Sequence, residues 1–275
     1  MQKKIKKLFI VIVILLLNAC SSTGPHHHRY HQEKDGAPNY HIDIDKVPEP
    51  VPKVEPLSKY GNPAKYTVLG HTYYLRKTYL DYDETGIASW YGMKFHSFRT
   101  SSGELYDVAG MTAANKVLPI PCYARITNLS NGRHVIVKIN DRGPFHENRI
   151  IDLSYVAAAK LAIWPKGSGL VRVQTIDPRH WQSSHAPTDD EAAPITHKPQ
   201  IYMQIGVFRS KSNADNLLQR IATITDRPIH IETVESNGAP IYKLQIGPLT
   251  TVDHSDQLFK ALQREHLGTP ITTIH

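Results

Sequence analysis

Short apolar runs separated by glycine- and proline-containing turns fill the middle of the chain, from residue 60 to residue 178. These runs are rich in β-branched and aromatic residues, which favours strands over helices. They cover residues 66–69, 86–91, 123–127, 134–139, 150–153 and 170–176. One convincing helix covers residues 154–161, where Ser154 is placed as the N-cap of an alanine-rich segment. Many short strands with few helices predict a compact β-barrel over residues 60–178.

One of these strands ends in a sequence that suits a turn and little else. Residues 135–139 are β-branched except for one lysine, and an Asn-Asp-Arg-Gly-Pro segment follows at residues 140–144. A strand end holds a side chain in a fixed geometry better than a free loop does. Asp141 is therefore a candidate catalytic carboxylate. The alternative is a structural aspartate that pairs with its neighbour Arg142.

The first twenty residues determine the expected compartment. Four lysines precede an unbroken apolar run, residues 8–17, which is too short to span a bilayer comfortably. Ala19 then precedes Cys20, a pattern that resembles a bacterial lipoprotein signal; the alternative is an ordinary secretory signal. The resemblance implies removal of residues 1–19 and lipid on Cys20, and several acyl chains make a stable membrane anchor. Serines rather than an aspartate follow Cys20, which resembles Gram-negative lipoproteins that are released to the outer membrane. The resemblance implies an outer-membrane lipoprotein that faces the periplasm.

Two segments are predicted to be linkers. Residues 20–59 contain recurrent prolines among polar residues and are expected to be disordered, and residues 179–198 form a second linker. A His-rich stretch in the first linker, residues 26–31, is expected to hold no functional metal.

The charge of the chain does not indicate nucleic-acid binding, and its cysteine content does not indicate a disulfide bond. Lys and Arg number 32 against 25 Asp and Glu, a mild excess that fits an anionic polymer or membrane surface without singling out nucleic acid. We expect no nucleic-acid partner. With lipid on Cys20, Cys122 has no intramolecular partner, so no disulfide is expected. No cofactor and no metal is predicted.

The last 77 residues, 199–275, have the pattern of a separate small domain. Two amphipathic helices, residues 212–222 and 252–266, alternate with strands in the order βαββαβ, which predicts a ferredoxin-like unit. The strands cover residues 201–208, 229–234, 241–246 and 271–274.

Alternation along the strands of this domain predicts an open sheet face that could bind sugars. Met203, Ile205 and Val207 are expected to face the helices. The residues expected on the opposite face are Tyr202, Gln204, Phe208, Lys243 and Gln245. Aromatic rings stack on sugar C–H groups and amides bond hydroxyls, so Gln204, Phe208 and Gln245 are candidate glycan contacts. The alternative is a solvated face. The module resembles the SPOR domain of cell-envelope proteins, which implies binding to peptidoglycan strands that lack stem peptides and accumulate at the septum.

Three motifs in the middle domain occur in a characteristic order. They are Gly-Ile-Ala-Ser-Trp-Tyr-Gly (86–92), Thr-Ser-Ser-Gly-Glu-Leu-Tyr-Asp (100–107) and Asn-Asp-Arg-Gly-Pro-Phe (140–145), with Met-Thr-Ala-Ala-Asn (111–115) before the last. Together they resemble the rare lipoprotein A family, septal lytic transglycosylases built on a six-stranded double-psi β-barrel. The resemblance covers residues 60–178, the lipoprotein signal and the SPOR-like end. It implies cleavage of MurNAc–GlcNAc β-1,4 bonds to 1,6-anhydro-MurNAc ends in daughter-cell separation, with divisome proteins as candidate partners.

That reaction makes definite physical demands. A carboxylic acid must protonate the leaving oxygen, and negative charge must stabilise the oxocarbenium-like centre. The sugar's own 6-hydroxyl is the nucleophile, and the same carboxylate can then accept its proton. We hypothesise that Asp141 is the principal acid and base and that Glu104 assists; the reverse assignment stays open. Asp107 is a third catalytic candidate, or else orders its loop.

One position departs from the family pattern. The family usually has His where this chain has Asn115. Asn115 can hydrogen bond but cannot titrate, so the alternative function is a weakly active or inactive glycan-binding septal lipoprotein. An expansin-like or endoglucanase-like barrel fits poorly with the lipoprotein signal. Arg142 is expected to pair with a carboxylate or lactyl group, or to form a structural salt bridge. Trp90 and Tyr91 are candidates to line a sugar groove, although a strand Trp is more often core.

Overall fold

The protein is described by a computed structural model. It describes residues 34–146, 148–181, 199–236, 238–267 and 270–274. The expected signal segment, the lipidation site Cys20, the His-rich stretch and residues 182–198 of the second linker lie outside these ranges. In the described ranges, none of the helices has the length and apolar character needed to cross a bilayer.

Six strands close into a barrel, as expected. In chain order the strands of this half are β1 (Lys65–Val68), β2 (His71–Tyr74), β3 (Asp83–Tyr91), β4 (Thr112–Asn115), β5 (Cys122–Asn128), β6 (His134–Asp141), β7 (Ile151–Ser154) and β8 (Gly169–Ile176). The barrel order is β3-β7-β4-β6-β5-β8. The pairs β3–β7 and β4–β6 are parallel, and the other four are antiparallel. The predicted β-barrel is therefore confirmed.

Two strands differ from the prediction. The apolar run at residues 66–69 lies outside the barrel, because β1 pairs with β2 in a separate hairpin. β4, which was not among the predicted strands, lies in the barrel between β6 and β7. Its Thr-Ala-Ala-Asn sequence has little intrinsic strand preference, but Ala113 and Ala114 are almost fully buried. Tertiary packing overrides local propensity here.

A helix packs on the barrel core. α1 (Tyr155–Lys160) begins after Ser154, whose Oγ accepts a hydrogen bond from the Ala157 amide at 3.2 Å. This confirms the predicted N-cap. The core combines inward-facing aliphatic residues of the strands with Val156, Ala157 and Ala158 of the helix.

Residues 49–62 lie extended against the barrel, and we call them the N-terminal strap. From Pro52 onward every third residue is at least partly buried, which is the period of a polyproline II helix. The barrel-facing residues are Pro52, Glu55, Ser58 and Gly61. Glu49 Oε2 accepts from the Ile136 amide at 2.8 Å, and the Ser58 amide donates to the Ile120 carbonyl at 3.0 Å. The prediction of disorder up to residue 59 is therefore wrong for the strap. Prolines reduce the freedom of the unfolded chain, so docking the strap costs less entropy.

The C-terminal domain has the predicted βαββαβ order. Its elements are β9 (Ile201–Phe208), α2 (Lys211–Ile221), β10 (Ile229–Ser236), β11 (Ala239–Leu249), α3 (Val252–Arg264) and β12 (Ile271–Ile274). The sheet order is β10-β11-β9-β12, and every pair is antiparallel. Both helices pack against the apolar face of the sheet.

Because of a β-bulge, part of the C-terminal sheet exposes different residues from those predicted. Gln204 pairs with Gln245 on the side of the sheet opposite the buried residues, as expected. The register between β9 and β11 then shifts at Ile205, which inverts the alternation beyond it. Val207 is consequently 49% exposed, whereas Phe208 packs against the apolar core. The prediction that Phe208 faces outward is wrong.

The loop from β6 to β7 contacts the C-terminal domain. Arg149 forms a bidentate ion pair with Asp256 of α3, in which Arg149 Nη1 donates to Asp256 Oδ1 at 2.8 Å. Asn148 Nδ2 donates to Ser255 Oγ at 3.2 Å. Arg149 is 8% exposed and Asn148 is 6% exposed, so these polar contacts are buried. The loop between two barrel strands is thereby held by helix α3.

Candidate active site

A row of side chains crosses one face of the barrel. Ala114 of β4 pairs with Asp141 of β6 on one side and with Asp152 of β7 on the other. Asp152 in turn pairs with Ser89 of β3. Directly paired residues of neighbouring strands place their side chains on the same face. Neighbouring strands are about 4.8 Å apart, which puts the two aspartate Cα atoms roughly 10 Å apart.

Asp152 is the carboxyl group whose environment favours the protonated form. Burial raises its pKa to about 6, against the lowering effects of the Ser89 hydrogen bond and of the charges on Arg149 and Lys116; Asp35 raises it slightly further. Ser89 Oγ donates a short hydrogen bond to Asp152 Oδ1. With a pKa of about 6, roughly a tenth of the groups carry the proton at pH 7. Asp152 can therefore serve as a general acid near neutral pH.

The backbone at Gly143 covers this row. Gly143 has φ of +138°, and a Cβ there would lie 3.8 Å from both Ala114 Cβ and Asp152 Oδ2. The turn after β6 therefore passes close to the half-buried Asp152 side chain.

Asp141 is held by backbone and side-chain donors. Its Oδ1 accepts from the Ser101 amide at 2.7 Å, from Ser101 Oγ at 2.6 Å and from the Arg142 amide at 2.7 Å. All three bonds go to one oxygen. The carboxyl group is thus fixed in orientation, and Oδ2 can face a ligand.

Glu104 lies in a cluster with one lysine. Glu104 Oε1 is 2.8 Å from Lys138 Nζ, and Glu104 Oε2 accepts from Asn140 Nδ2 at 2.6 Å. Lys138 Nζ also lies 3.0 Å from Glu55 Oε2 of the strap. Burial lowers the pKa of Lys138, but bonds to Glu104 and Glu55 outweigh it and raise that pKa overall. The cluster therefore holds two carboxylates and one cation.

One loop ties Glu104 to Asp141. Ser101 bonds Asp141, while the Ser102 amide donates to the Asn140 carbonyl at 3.1 Å. Glu104 follows two residues later and bonds the Asn140 side chain. The structure thus brings together the two carboxylates that the sequence singled out, at the end of β6.

Asp107 lies apart from this cluster. It is exposed, and its Oδ1 accepts from the Ala109 amide at 2.9 Å. His96 Nδ1 is 3.7 Å from the same oxygen. These contacts order its own loop, which is the alternative considered for Asp107.

Asn115 bonds backbone groups rather than a carboxylate. Its Oδ1 accepts from the amides of Val117 and Leu118, both at 2.9 Å, and its Nδ2 donates to the Ile150 carbonyl at 3.1 Å. A weaker contact of 3.4 Å joins Nδ2 to the Tyr82 hydroxyl. The side chain is 1% exposed and fastens the end of β4 to the loop before β7. This is the geometry of a structural amide.

Arg142 cross-links the strap to the turn after β4. Its guanidinium donates to the carbonyls of Gly61 at 2.8 Å, Asn115 at 3.1 Å and Leu118 at 2.5 Å. Asn62 Oδ1 lies 3.2 Å from Nη2. The expected carboxylate pairing through the guanidinium is not observed, because carbonyl oxygens take up its donors.

The two aromatic candidates of β3 lie on opposite sides of the sheet. Trp90 packs against the core and meets Tyr155 edge-on at 5.9 Å. Tyr91 stacks on Tyr106 at 4.1 Å and is 8% exposed. Burial raises the pKa of Tyr91 well above its usual value, and the charge of Asp141 adds to this. Tyr91 is therefore buried beside Tyr106, and Trp90 faces the core rather than the row of carboxylates.

Comparison with known proteins identifies the family. Residues 83–175 match the family model described as "Lytic transglycolase", and residues 199–270 match the SPOR domain model. The "Endolytic peptidoglycan transglycosylase RlpA" of Pseudomonas aeruginosa is 35% identical over 86% of this chain and 83% of its own length. The chain belongs to the RlpA family of lytic transglycosylases.

Other RlpA relatives agree. The Vibrio cholerae protein of the same name is 35% identical over 86% of this chain and 85% of its own length. The Haemophilus influenzae protein is 45% identical over 76% of this chain and 69% of its own length. A crystal structure of the RlpA SPOR domain from Pseudomonas aeruginosa matches 26% of this chain and 96% of that chain, with 23% identity and a TM-score of 0.26. The sequence-based resemblance to this family is confirmed.

The sequence did not single out several residues of this RlpA-family site. Ser89 lies in the 86–92 motif, but neither Ser89 nor Asp152 was assigned a catalytic role, because polar positions in alternating strands usually face solvent. A signal for Lys138 existed, because it interrupts the β-branched run of β6. No pattern in the proline-rich segment pointed to Glu55.

Proposed function

We propose that this RlpA-family protein cleaves MurNAc–GlcNAc β-1,4 bonds endolytically in peptide-free peptidoglycan strands. The products are 1,6-anhydro-MurNAc ends, and the site of action is the division septum. The observation that supports this proposal best is the shared barrel face of Asp152 and Asp141, with Glu104 anchored beside Asp141. Two carboxyl positions on one face, one of which is protonated in roughly a tenth of the molecules at pH 7, meet the demands of glycosidic bond cleavage.

Asp152 takes the role of the acid in this proposal. Its raised pKa keeps a proton available, whereas Asp141 directs one oxygen at three donors. In this proposal Asp152 replaces Asp141, which the sequence suggested as the principal acid. Asp141 and Glu104 then supply the negative charge that stabilises the oxocarbenium-like transition state.

The proton and bond changes balance without water. Asp152 gives its proton to the leaving glycosidic oxygen as the bond from that oxygen to C1 of MurNAc breaks. The 6-hydroxyl oxygen of the same MurNAc then bonds to C1, and its proton passes to the Asp152 carboxylate. The acid is regenerated in the same turnover, so one carboxyl group serves as acid and then as base.

The remaining assignments concern location and partners. The paired amides of Gln204 and Gln245 on the open sheet face suit hydroxyl groups of a denuded glycan strand. Lipid on Cys20 would hold the protein at the outer membrane, facing the periplasm, where divisome proteins are candidate partners.

The test is digestion of denuded glycan strands, with mass spectrometry of the products. Anhydro ends from the wild-type protein, reduced in Asp141→Asn and Glu104→Gln, are expected. Undiminished anhydro product from both variants would contradict the roles of these carboxylates. Binding of glycan with no anhydro product would favour the alternative of an inactive septal lipoprotein, since Asn115 cannot titrate.

A further inference from the structure

The strap places one carboxylate inside the charge cluster of the site. Glu55 Oε2 lies 3.0 Å from Lys138 Nζ, and Glu55 Oε1 accepts a short hydrogen bond from the Tyr123 hydroxyl. The side chains of Glu55 and Lys138 are 21% and 18% exposed. Partial burial raises the pKa of Glu55, but the bonds from Tyr123 and Lys138 outweigh it and lower that pKa overall. Glu55 is therefore an ionised group in a fixed position.

Lys138 is shared between two carboxylates. Its Nζ is 2.8 Å from Glu104 Oε1 and 3.0 Å from Glu55 Oε2. Three groups with one positive and two negative charges leave a net charge of about −1 beside the end of β6. Without Glu55, the pair of Lys138 and Glu104 would be neutral, and the ammonium group would lose one of its two carboxylate partners.

The strap also touches the support of Asp141. Gly61 has φ of +79°, and a Cβ there would lie 2.6 Å from the Ser101 carbonyl oxygen. Ser101 is the residue that bonds Asp141. The same glycine carbonyl accepts from Arg142 Nε at 2.8 Å. A segment that precedes the matched family region, residues 83–175, therefore forms one wall of the site.

We propose that Glu55 is a positioning residue for the transglycosylase reaction, acting through Lys138 on Glu104. By binding one side of the ammonium group, Glu55 keeps Glu104 in its observed orientation and offsets the lysine charge, so that Lys138 does not fully neutralise Glu104. The proposal rests on the proposed function, because it requires positive charge to develop on the sugar.

The experiment compares Glu55→Gln with Glu49→Gln in the full chain. Both substitutions remove one charge from the strap and keep a hydrogen-bond acceptor, but Glu49 bonds the Ile136 amide and has no bond to Lys138. We expect Glu55→Gln to lower kcat about tenfold, the effect of one partly screened charge, with KM changed less than about twofold. Glu49→Gln should have the wild-type kcat, and Glu55→Asp should recover part of the loss.

A second background tests the route through the lysine. In Lys138→Met, the further change Glu55→Gln should not lower kcat again, because the group through which Glu55 acts is absent. Equal losses in Glu55→Gln and Glu49→Gln, a change in KM alone, or a full further loss in the Lys138→Met background would overturn the proposal. If Glu55→Gln does not fold, Glu55→Asp is compared with Glu49→Asp by the same criteria. Failure of the proposed function itself would show separately, as no anhydro product from the wild-type protein.

Discussion

Removing the Ser89 hydroxyl should change the pH dependence of the reaction in a defined direction. Ser89 Oγ donates to the Asp152 carboxyl group, and this bond favours the ionised form and lowers its pKa. Ser89→Ala deletes the donor and leaves the burial that raises the pKa to about 6. A hydrogen bond to a charged group contributes about 1.5 kcal/mol, which corresponds to roughly one pKa unit.

The sign follows from the role of Asp152 as an acid. Activity requires the protonated form, so kcat/KM falls as the pH rises through the pKa of Asp152 in the free enzyme. In Ser89→Ala this alkaline fall should move upward by about one pH unit. The assay is the initial rate of anhydro-end formation from denuded glycan between pH 4.5 and pH 9, roughly 1.5 units below and three units above the wild-type pKa of about 6.

A matched control separates this effect from general damage. Ser102→Ala removes a half-buried hydroxyl that bonds Thr100 and does not contact Asp152, so its pH profile should keep the wild-type midpoint. An alkaline midpoint in Ser89→Ala that stays in place, or that moves downward, would refute the assignment of Asp152 as the acid.

Three further outcomes follow from the structure. Asp152→Asn should raise the free energy of unfolding at pH 7 by about 2–3 kcal/mol, because a pKa raised in the folded state makes ionisation of the aspartate destabilising above that pKa. Urea unfolding at pH 7 and pH 4 measures this gain in stability, which should be smaller at pH 4. Asp256→Ala should leave Arg149 buried without its partner, which should weaken the contact between the two domains by about 3 kcal/mol. Small-angle X-ray scattering should then show a larger radius of gyration than for the wild-type protein. An unchanged radius of gyration would contradict the contact. Gln204→Ala should reduce the fraction of protein that co-sediments with denuded glycan, with no change in stability. Phe208→Ala should instead lower the melting temperature, because its ring packs in the core. Loss of glycan binding in a fully stable Phe208→Ala variant would contradict the inward orientation of Phe208.

Local periodicity made the C-terminal domain predictable almost residue by residue. Helical spacing of apolar residues and alternation in strands are properties of neighbouring residues, and both helices and all four strands occur where these patterns predict them. The orientation of Phe208 is the exception that alternation did not predict. A bulge at Ile205 inverts the alternation, and it depends on the register with β11, which the sequence of β9 alone does not encode.

The candidate site was predictable only where turn chemistry marked it. Asp141 follows a β-branched run and opens an Asn-Asp-Arg-Gly-Pro turn, so its position at a strand end could be inferred from adjacent residues. Asp152 could not be found in this way, because its raised pKa comes from desolvation, which depends on tertiary packing rather than on adjacent residues. Glu55 was hidden for a related reason. Its proline-rich surroundings predict no core, but a three-residue period places it against Lys138.

Asn115 was identified by its departure from the family pattern, and the structure gives it a role that sequence could not supply. Its amide satisfies two backbone N–H groups and one carbonyl at the end of β4. A side chain with one acceptor and two donors meets these partners without any proton transfer. Asn115 therefore needs no part in proton transfer, which the proposed mechanism places at Asp152.

The most direct measurement is the rate of 1,6-anhydro-MurNAc formation from denuded glycan by Asp152→Asn, compared with the wild-type protein and with Asp107→Asn. General acid catalysis contributes at least about 100-fold, so Asp152→Asn should lose at least that factor. Asp107→Asn should stay close to wild type, because Asp107 is exposed and bonds only within its own loop. Undiminished anhydro product from a folded Asp152→Asn variant would contradict the central claim that Asp152 is the acid.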